Sequence, residues 1–258
     1  MKITKILSIT LSLLLMLSAM AACTAEGDTH ETVKPTAGNN SAGNNGSSAG
    51  NSGNSGANNT NTGACDMAAI AAEIDSMRVG DFAETASVSE YVKFTVKDHG
   101  EFVIRLRADI APITVENFQG LVSDGFYDGL TFHRVMKGFM IQGGDPNGDG
   151  TGGSGTSIKG EYAVNGVRND LSHIAGVISM ARRGDPYYDS ATSQFFICNA
   201  DASGSLDRKY AGFGYVVAGL EVVLMVSDVE VKYNAYGTER SVPVEPVVIE
   251  KVCFVEKQ

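Results

Sequence analysis

From Thr36 to Ala64 every residue is Ala, Gly, Asn, Ser or Thr. Such a stretch has almost no apolar surface to bury, and burial is what offsets the ~1 to 2 kcal/mol per residue that ordering a backbone costs. The run therefore divides the chain, and whatever folds around a core must lie after it. Chains of this composition have a root-mean-square span of about 5 to 6 Å times the square root of residue number, so residues 23–64 act as a disordered tether holding their ends ~35 Å apart. The body that follows is one domain's worth of sequence and large enough to bury a core.

Ahead of the tether, Lys2 and Lys5 precede an apolar run from Ile6 to Leu17, followed by Ser18-Ala19-Met20-Ala21-Ala22-Cys23. This is the layout of a secretory signal peptide over residues 1–22. The apolar run is about half of what a bilayer span needs. Small residues directly before a cysteine look like a bacterial lipoprotein processing site, with Met20 the less usual member. Cys23 is then the lipidated N-terminus, and the chain is expected outside the cytoplasm, lipid-anchored to the outer face of the bacterial cell membrane. An ordinary signal peptide with an incidental Cys23 is the alternative.

A formal net charge of −10 argues against nucleic acid or an anionic lipid surface as partner. Apart from Cys23 the cysteines are Cys65, Cys198 and Cys253. An odd number without C-x-x-C spacing supplies neither a disulfide framework nor a zinc site. Cys198 and Cys253 stand among apolar residues and read as core thiols. Asp145-Pro146-Asn147-Gly148-Asp149-Gly150 matches the first half of a calcium loop, but Thr156 occupies the place of its closing Glu. The glycines between Gly143 and Gly155 lack the Lys-Ser/Thr ending of a phosphate loop, and Ser154 lacks the glycine that a nucleophile elbow requires. His99, His133 and His173 show no ligand spacing, and the last two read as satisfied core or groove-floor histidines.

Between tether and body, over residues 65–88, Met67, Ile70, Ile74 and Met77 recur at helical spacing and predict a short helix. A hairpin follows, with strands Tyr91 to Val96 and Phe102 to Leu106 around the turn Asp98-His99-Gly100. Thr114 is a candidate cap for a helix whose apolar face is Val115, Phe118, Leu121 and Val122, ending at Gly125. Later apolar runs, Val177 to Met180, Phe195 to Cys198, Tyr215 to Val217 and Val247 to Val255, are short, β-rich and separated by turn residues. The pattern is mainly β and fits a closed antiparallel barrel with capping helices.

The run from Phe132 to Asp145 concentrates one arginine, large apolar residues and an amide in a segment with strand-like spacing. Arg134 has no acidic neighbour in sequence. Parity alone cannot place Arg134 and Gln142 on one face, because Lys137-Gly138 is a turn signal between them. This run, together with Ala111 to Phe118, Gly176 to Ala181, Ser193 to Cys198 and Leu206 to Gly214, resembles the signatures of the cyclophilin family of peptidyl-prolyl cis/trans isomerases. The resemblance covers roughly Tyr91 to Val255.

It implies an eight-stranded closed barrel with two capping helices over residues 89–258, the second helix at Val222 to Val226. It also implies X-Pro isomerisation, which breaks no covalent bond and needs no cofactor or metal, only preference for a twisted amide whose barrier is ~18 to 20 kcal/mol. By the same resemblance Arg134 is the catalytic cation, donating toward the prolyl nitrogen or the adjacent carbonyl. Phe139, Met140, Phe196 and Leu206 form the proline pocket, Gln142 binds substrate backbone and orients Arg134, and Ala181 and Gln194 line the groove. Tyr210 stands where many eukaryotic members carry a histidine, and Ser205 lies near the place of their tryptophan, a residue this chain lacks. Arg182 and Arg183 suggest a preference for acidic residues upstream of the proline. The expected partners are Pro-containing, unfolded or flexible client proteins met by a monomer, without nucleic acid, and with membrane contact through the lipid only. A non-catalytic chaperone or Pro-peptide binding module using the same groove is the alternative.

Overall fold

The computed structural model describes residues 65–258. The signal segment, Cys23 and the linker to residue 64 lie outside the described residues. The elements run α1 (Met67–Glu73), β1 (Phe82–Glu84), β2 (Tyr91–Val96), β3 (Gly100–Leu106), α2 (Pro112–Ser123), β4 (Arg134–Met136) and β5 (Met140–Gly143). They continue with β6 (Val177–Met180), β7 (Phe195–Cys198), α3 (Ser203–Leu206), β8 (Gly212–Ala218), α4 (Leu220–Ser227), β9 (Val231–Tyr233), β10 (Arg240–Pro243) and β11 (Ile249–Lys257).

Nine strands form one antiparallel sheet in the order β1-β11-β2-β3-β8-β6-β7-β5-β4, and β9 pairs with β10 as a separate ribbon. The mainly β character is as expected, whereas the count of eight strands and two helices is corrected, as is the closed ladder. Where the ends of the sheet approach, Phe132 N–H donates to the Val247 carbonyl at 3.0 Å and Ile249 N–H to that of Leu130 at 2.8 Å. A single bridge, Thr131 to Val248, lies between them. Pro246 has no N–H with which to lengthen this seam.

The interior is aromatic. Phe94 stacks on Phe102 at 4.8 Å, and Phe118 meets Phe195 edge to face at 6.0 Å, a pair geometry worth more than its area alone. Phe118 comes from α2, whose Val115 and Val122 are also buried. The cap of α2 differs from expectation. Ala111 stands at the cap position and Pro112 opens the helix. Thr114 instead donates through its backbone N–H and its hydroxyl to Glu161, at 2.8 and 2.7 Å, and Ile113 N–H joins at 3.1 Å. A buried carboxylate from a distant loop thus supplies the acceptors and the negative charge that a helix start requires.

Residues 65–88 belong to the fold. Asp66 caps α1 by accepting from the N–H groups of Ala68 and Ala69. Ile70 is buried with Val103, Val177, Tyr215, Val217 and Val255 on one face of the sheet. Asp75 and Met77 then donate backbone N–H bonds to the carbonyls of Val216 and Val217, and β1 adds a strand beside β11.

All three described cysteines are free. Cys198 is fully buried and its thiol is pushed up to about 12 by burial. Cys253 is only half-buried, because it takes an intermediate position on β11 rather than a core one. No helix among the described residues is long and apolar enough to cross a membrane.

Candidate active site

The β4–β5 hairpin settles what parity could not. Lys137 and Gly138, the latter at φ +76°, turn the chain so that Arg134 lies directly opposite Gln142 and Met136 opposite Met140. Cross-strand partners share a face, and Arg134 Nη1 donates to Gln142 Oε1 at 3.2 Å. Gln142 Nε2 donates in turn to Gln194 Oε1 at 2.9 Å, and Gln194 Nε2 donates to the Gly152 carbonyl at 2.7 Å. Three residues named from sequence therefore form one hydrogen-bonded row along the groove floor.

A fourth member carries no sequence signal. Glu239, 105 positions from Arg134, accepts from Arg134 Nε and Nη2 at 2.7 Å each. Strand β10 lies against β4 and brings the β9–β10 turn over the arginine. Contact with the guanidinium holds the Glu239 carboxyl down at about 2. Only the fold shows this partner, since Glu239 stands in a polar turn whose composition is that of any exposed hairpin.

The expected proline pocket is a cluster of its own, separate from the main core. Met140, Phe196, Cys198, Ala202 and Leu206 are its buried members, with Met136, Phe139, Ala181 and Tyr210 partly buried against them. Phe196 meets the edge of Tyr210 at 5.6 Å and sits opposite Gln142 in the β5–β7 ladder. Ser205, on α3, is exposed.

Behind Phe196 lies a row that resembles a nucleophilic triad. His173 Nδ1 is 2.8 Å from Asp207 Oδ1, and its Nε2 is 3.0 Å from Ser179 Oγ. Ser179 is fully buried, so no substrate reaches it and the row is a support for the groove wall. Burial lowers the His173 pKa despite the bond to Asp207. The expectation for His133 is corrected: it is buried, but neither ring nitrogen has a hydrogen-bond partner among the described residues, and desolvation lowers its pKa.

Beside Gln142, Ala181 and Gln194 opens a groove of about 560 Å³ whose far wall is Gly150 to Gly153 and Thr192. Ala181 N–H donates to the Gln194 carbonyl at 2.9 Å, tying the two groove residues together. Arg182 and Arg183 both border this groove, and Arg182 is held rather than free. Its guanidinium lies 4.8 Å from the Tyr210 ring, 5.4 Å from Tyr162 and 5.5 Å from Tyr188, and it pairs with Asp185 at 2.9 Å. A side chain 5% exposed and stacked among three rings is a structural cation. Arg183 is exposed, over Tyr187 at 4.7 Å.

The loop that resembles half a calcium site is satisfied internally. Asp145 is buried and accepts from the N–H groups of Asn147, Asp149 and Gly150. Among the described residues no three His, Cys, Asp or Glu side chains converge so as to hold a metal ion. What the site offers is a fixed cation with an open side, an amide row and an adjoining apolar pocket, which suits electrostatic stabilisation of a strained neutral group.

The family model for cyclophilin type peptidyl-prolyl cis-trans isomerases matches residues 91–253. Peptidyl-prolyl cis-trans isomerase A of Dickeya dadantii is 40% identical over 180 residues, 68% of this chain and 90% of that protein. Peptidyl-prolyl cis-trans isomerase B of Bacillus subtilis is 44% identical over 138 residues, 54% of this chain and 91% of that protein. A cyclophilin type isomerase of Cryptosporidium parvum superposes with a TM-score of 0.57 at 26% identity, covering 66% of this chain and 98% of that one. The same protein has been crystallised in the presence of the dipeptide Ala-Pro, with a TM-score of 0.55. With its fold, its groove and these relatives, the chain belongs to the cyclophilin-type peptidyl-prolyl cis/trans isomerases.

Proposed function

We propose that this isomerase acts outside the cytoplasm on flexible Pro-containing segments of folding proteins, held at the outer membrane face by a lipid on Cys23. Arg134 is its catalytic residue. The observation that carries the reading is the placement of the Arg134 guanidinium, fixed by Gln142 and Glu239, beside the pocket of Phe139, Met140, Phe196 and Leu206. The proline ring fills that pocket, and Gln142, Ala181 and Gln194 take the preceding backbone. As the X-Pro bond twists, resonance is lost and the prolyl nitrogen gains a lone pair, toward which Arg134 donates. A donor in place before the twist favours the twisted state over the planar one, and that difference is the rate enhancement. The leader and Gly/Asn/Ser tether support the location, because a long span between anchor and domain lets the groove reach clients away from the bilayer.

Two measurements test this. Exchange of a Pro-containing peptide, followed without a coupled protease, is expected to be accelerated by the wild-type chain and not by Arg134→Ala; equal rates overturn the assignment. Cys23→Ala is expected to move the protein from the membrane fraction to the soluble one with isomerase activity intact, and retention in salt-washed membranes overturns the anchor.

A further inference from the structure

We infer that Glu239 is a positioning residue for the isomerase reaction, a carboxylate clamp that fixes the guanidinium of Arg134 and aims one N–H at the substrate. The inference rests on the reading of Arg134 as the reacting cation. Arg134 is one-third exposed at its side chain and Glu239 slightly less, so neither is locked by burial. Without a partner, a guanidinium on a long side chain samples many rotamers. Both Glu239 oxygens grip the Nε–Nη2 edge at 2.7 Å, the bidentate geometry that fixes the plane of the group as well as its place.

The donor inventory shows what the clamp leaves. Nε–H is taken by Glu239, the Nη2 hydrogens by Glu239 and Met136 Sδ, and one Nη1–H by Gln142. Among the described residues that leaves the second Nη1–H for a substrate. Clamp and substrate use opposite edges of the guanidinium, so turnover does not require the pair to break. Glu239 is itself held. Its carbonyl accepts from Asn234 N–H at 2.8 Å, Gly237 N–H donates to the Asn234 carbonyl at 2.9 Å, and Asn234 Oδ1 accepts from Thr238 N–H at 3.0 Å. Arg240 Nε fastens the far side of the ribbon to the Val231 carbonyl at 2.7 Å. A rigid turn thus carries the carboxylate, as a supporting shell must for a donor to be preorganised.

The test is a double-mutant cycle on the full chain, reading kcat and KM for an X-Pro peptide in Glu239→Ala, Glu239→Gln, Arg134→Ala and the two double variants. Glu239→Ala is expected to lower kcat about 10- to 100-fold, the scale of a misplaced reacting group, with KM little changed. Glu239→Gln keeps one acceptor and the turn intact, and falls between. In the Arg134→Ala background neither change at Glu239 is expected to lower activity further, because there is no cation left to aim. A role in hairpin stability alone would add its loss in both backgrounds, and that additivity overturns the clamp. Loss in Arg134→Ala with wild-type kcat in both Glu239 variants also overturns it while sparing the mechanism. Full activity in Arg134→Ala overturns both.

Discussion

Arg105 and Arg134 are both gripped by glutamates and both about one-third exposed, and the proposed function gives them different work. Arg105 Nη1 bonds both oxygens of Glu73 at 2.9 and 3.1 Å, its Nε bonds Glu90 at 3.0 Å, and Tyr215 donates to Glu73 at 2.7 Å. That network ties α1 to the sheet. Arg134 has one glutamate, one amide and a pocket of apolar side chains beside it. The chemistry of the pair is the same in both places. Among the described residues both guanidiniums keep unpartnered N–H groups, at Nη2 of Arg105 and at Nη1 of Arg134, so the difference lies in the surroundings: Arg105 stands among acidic and phenolic groups that complete a structural joint, whereas Arg134 adjoins the apolar cluster that the proposed reading assigns to the proline ring.

The largest effect that separates the two is expected at Arg134. Arg134→Ala should lower kcat/KM by roughly two to three orders of magnitude, about 2.7 to 4 kcal/mol, the cost of one preorganised donor. Its melting temperature should fall no further than that of Arg105→Ala, since a similarly exposed pair is lost in each. A variant melting far below Arg105→Ala would make Arg134 a structural joint and erase the distinction.

Ile70→Ala sharpens the other half. Ile70 is 3% exposed under α1, and losing its side chain should cost ~2 to 3 kcal/mol, the lower part of the range for such truncations because the half-exposed flank can collapse. Denaturant unfolding measures this. The folded fraction should isomerise at the wild-type rate, since Ile70 lies in a cluster separate from that of Phe139 and Phe196.

Arg105→Ala should cost less, about 1 to 2 kcal/mol once solvent screening of a partly exposed pair is allowed for. For a domain of this size that lowers the melting temperature by ~2 to 4 °C per kcal/mol. Wild-type kcat is expected, and a large kcat loss would show that the lead-in helix communicates with the groove.

The smallest effect is in pH. Burial lowers the pKa of both His133 and His173 below the ordinary histidine value. Below about pH 6.5 the unfolded chain binds protons that the folded one resists, so stability is fully present above that value and is lost as pH falls through the lowered folded values. The slope is at most ~1.4 kcal/mol per pH unit for each histidine. A His173→Gln variant should show a shallower acid loss of stability than wild type in urea titrations at pH 5 and 7; an identical slope would remove His173 from the account.

Local chemistry made much of this protein legible in its sequence. The hairpin of β2 and β3 follows from alternation around Asp98-His99-Gly100, which takes φ +62° at Asp98 and +119° at Gly100. That Phe139, Met140, Phe196 and Leu206 would meet was implied by the resemblance to the cyclophilin family rather than by local chemistry, and the structure brings them into one cluster; Arg134 stood out as a cation without an acidic neighbour in an apolar run, and its role came from the same resemblance. Periodicity revealed the helix at Ile70 without revealing what it covers.

Only the tertiary structure decided the rest, and the reason is physical. A carboxylate acts on whatever donor it meets within about 3 Å, and spacing in sequence does not encode that meeting for residues far apart. Glu161 caps α2 from a distant loop, Glu239 pairs with Arg134 from 105 positions away, and Arg182 lies among three tyrosines and beside Asp185. Apolar patterning determined which segments are buried and roughly how they pair. Which charge meets which was left to the folded chain, because the β9–β10 ribbon lies outside the strand order of the large sheet and meets β4 only through tertiary contact.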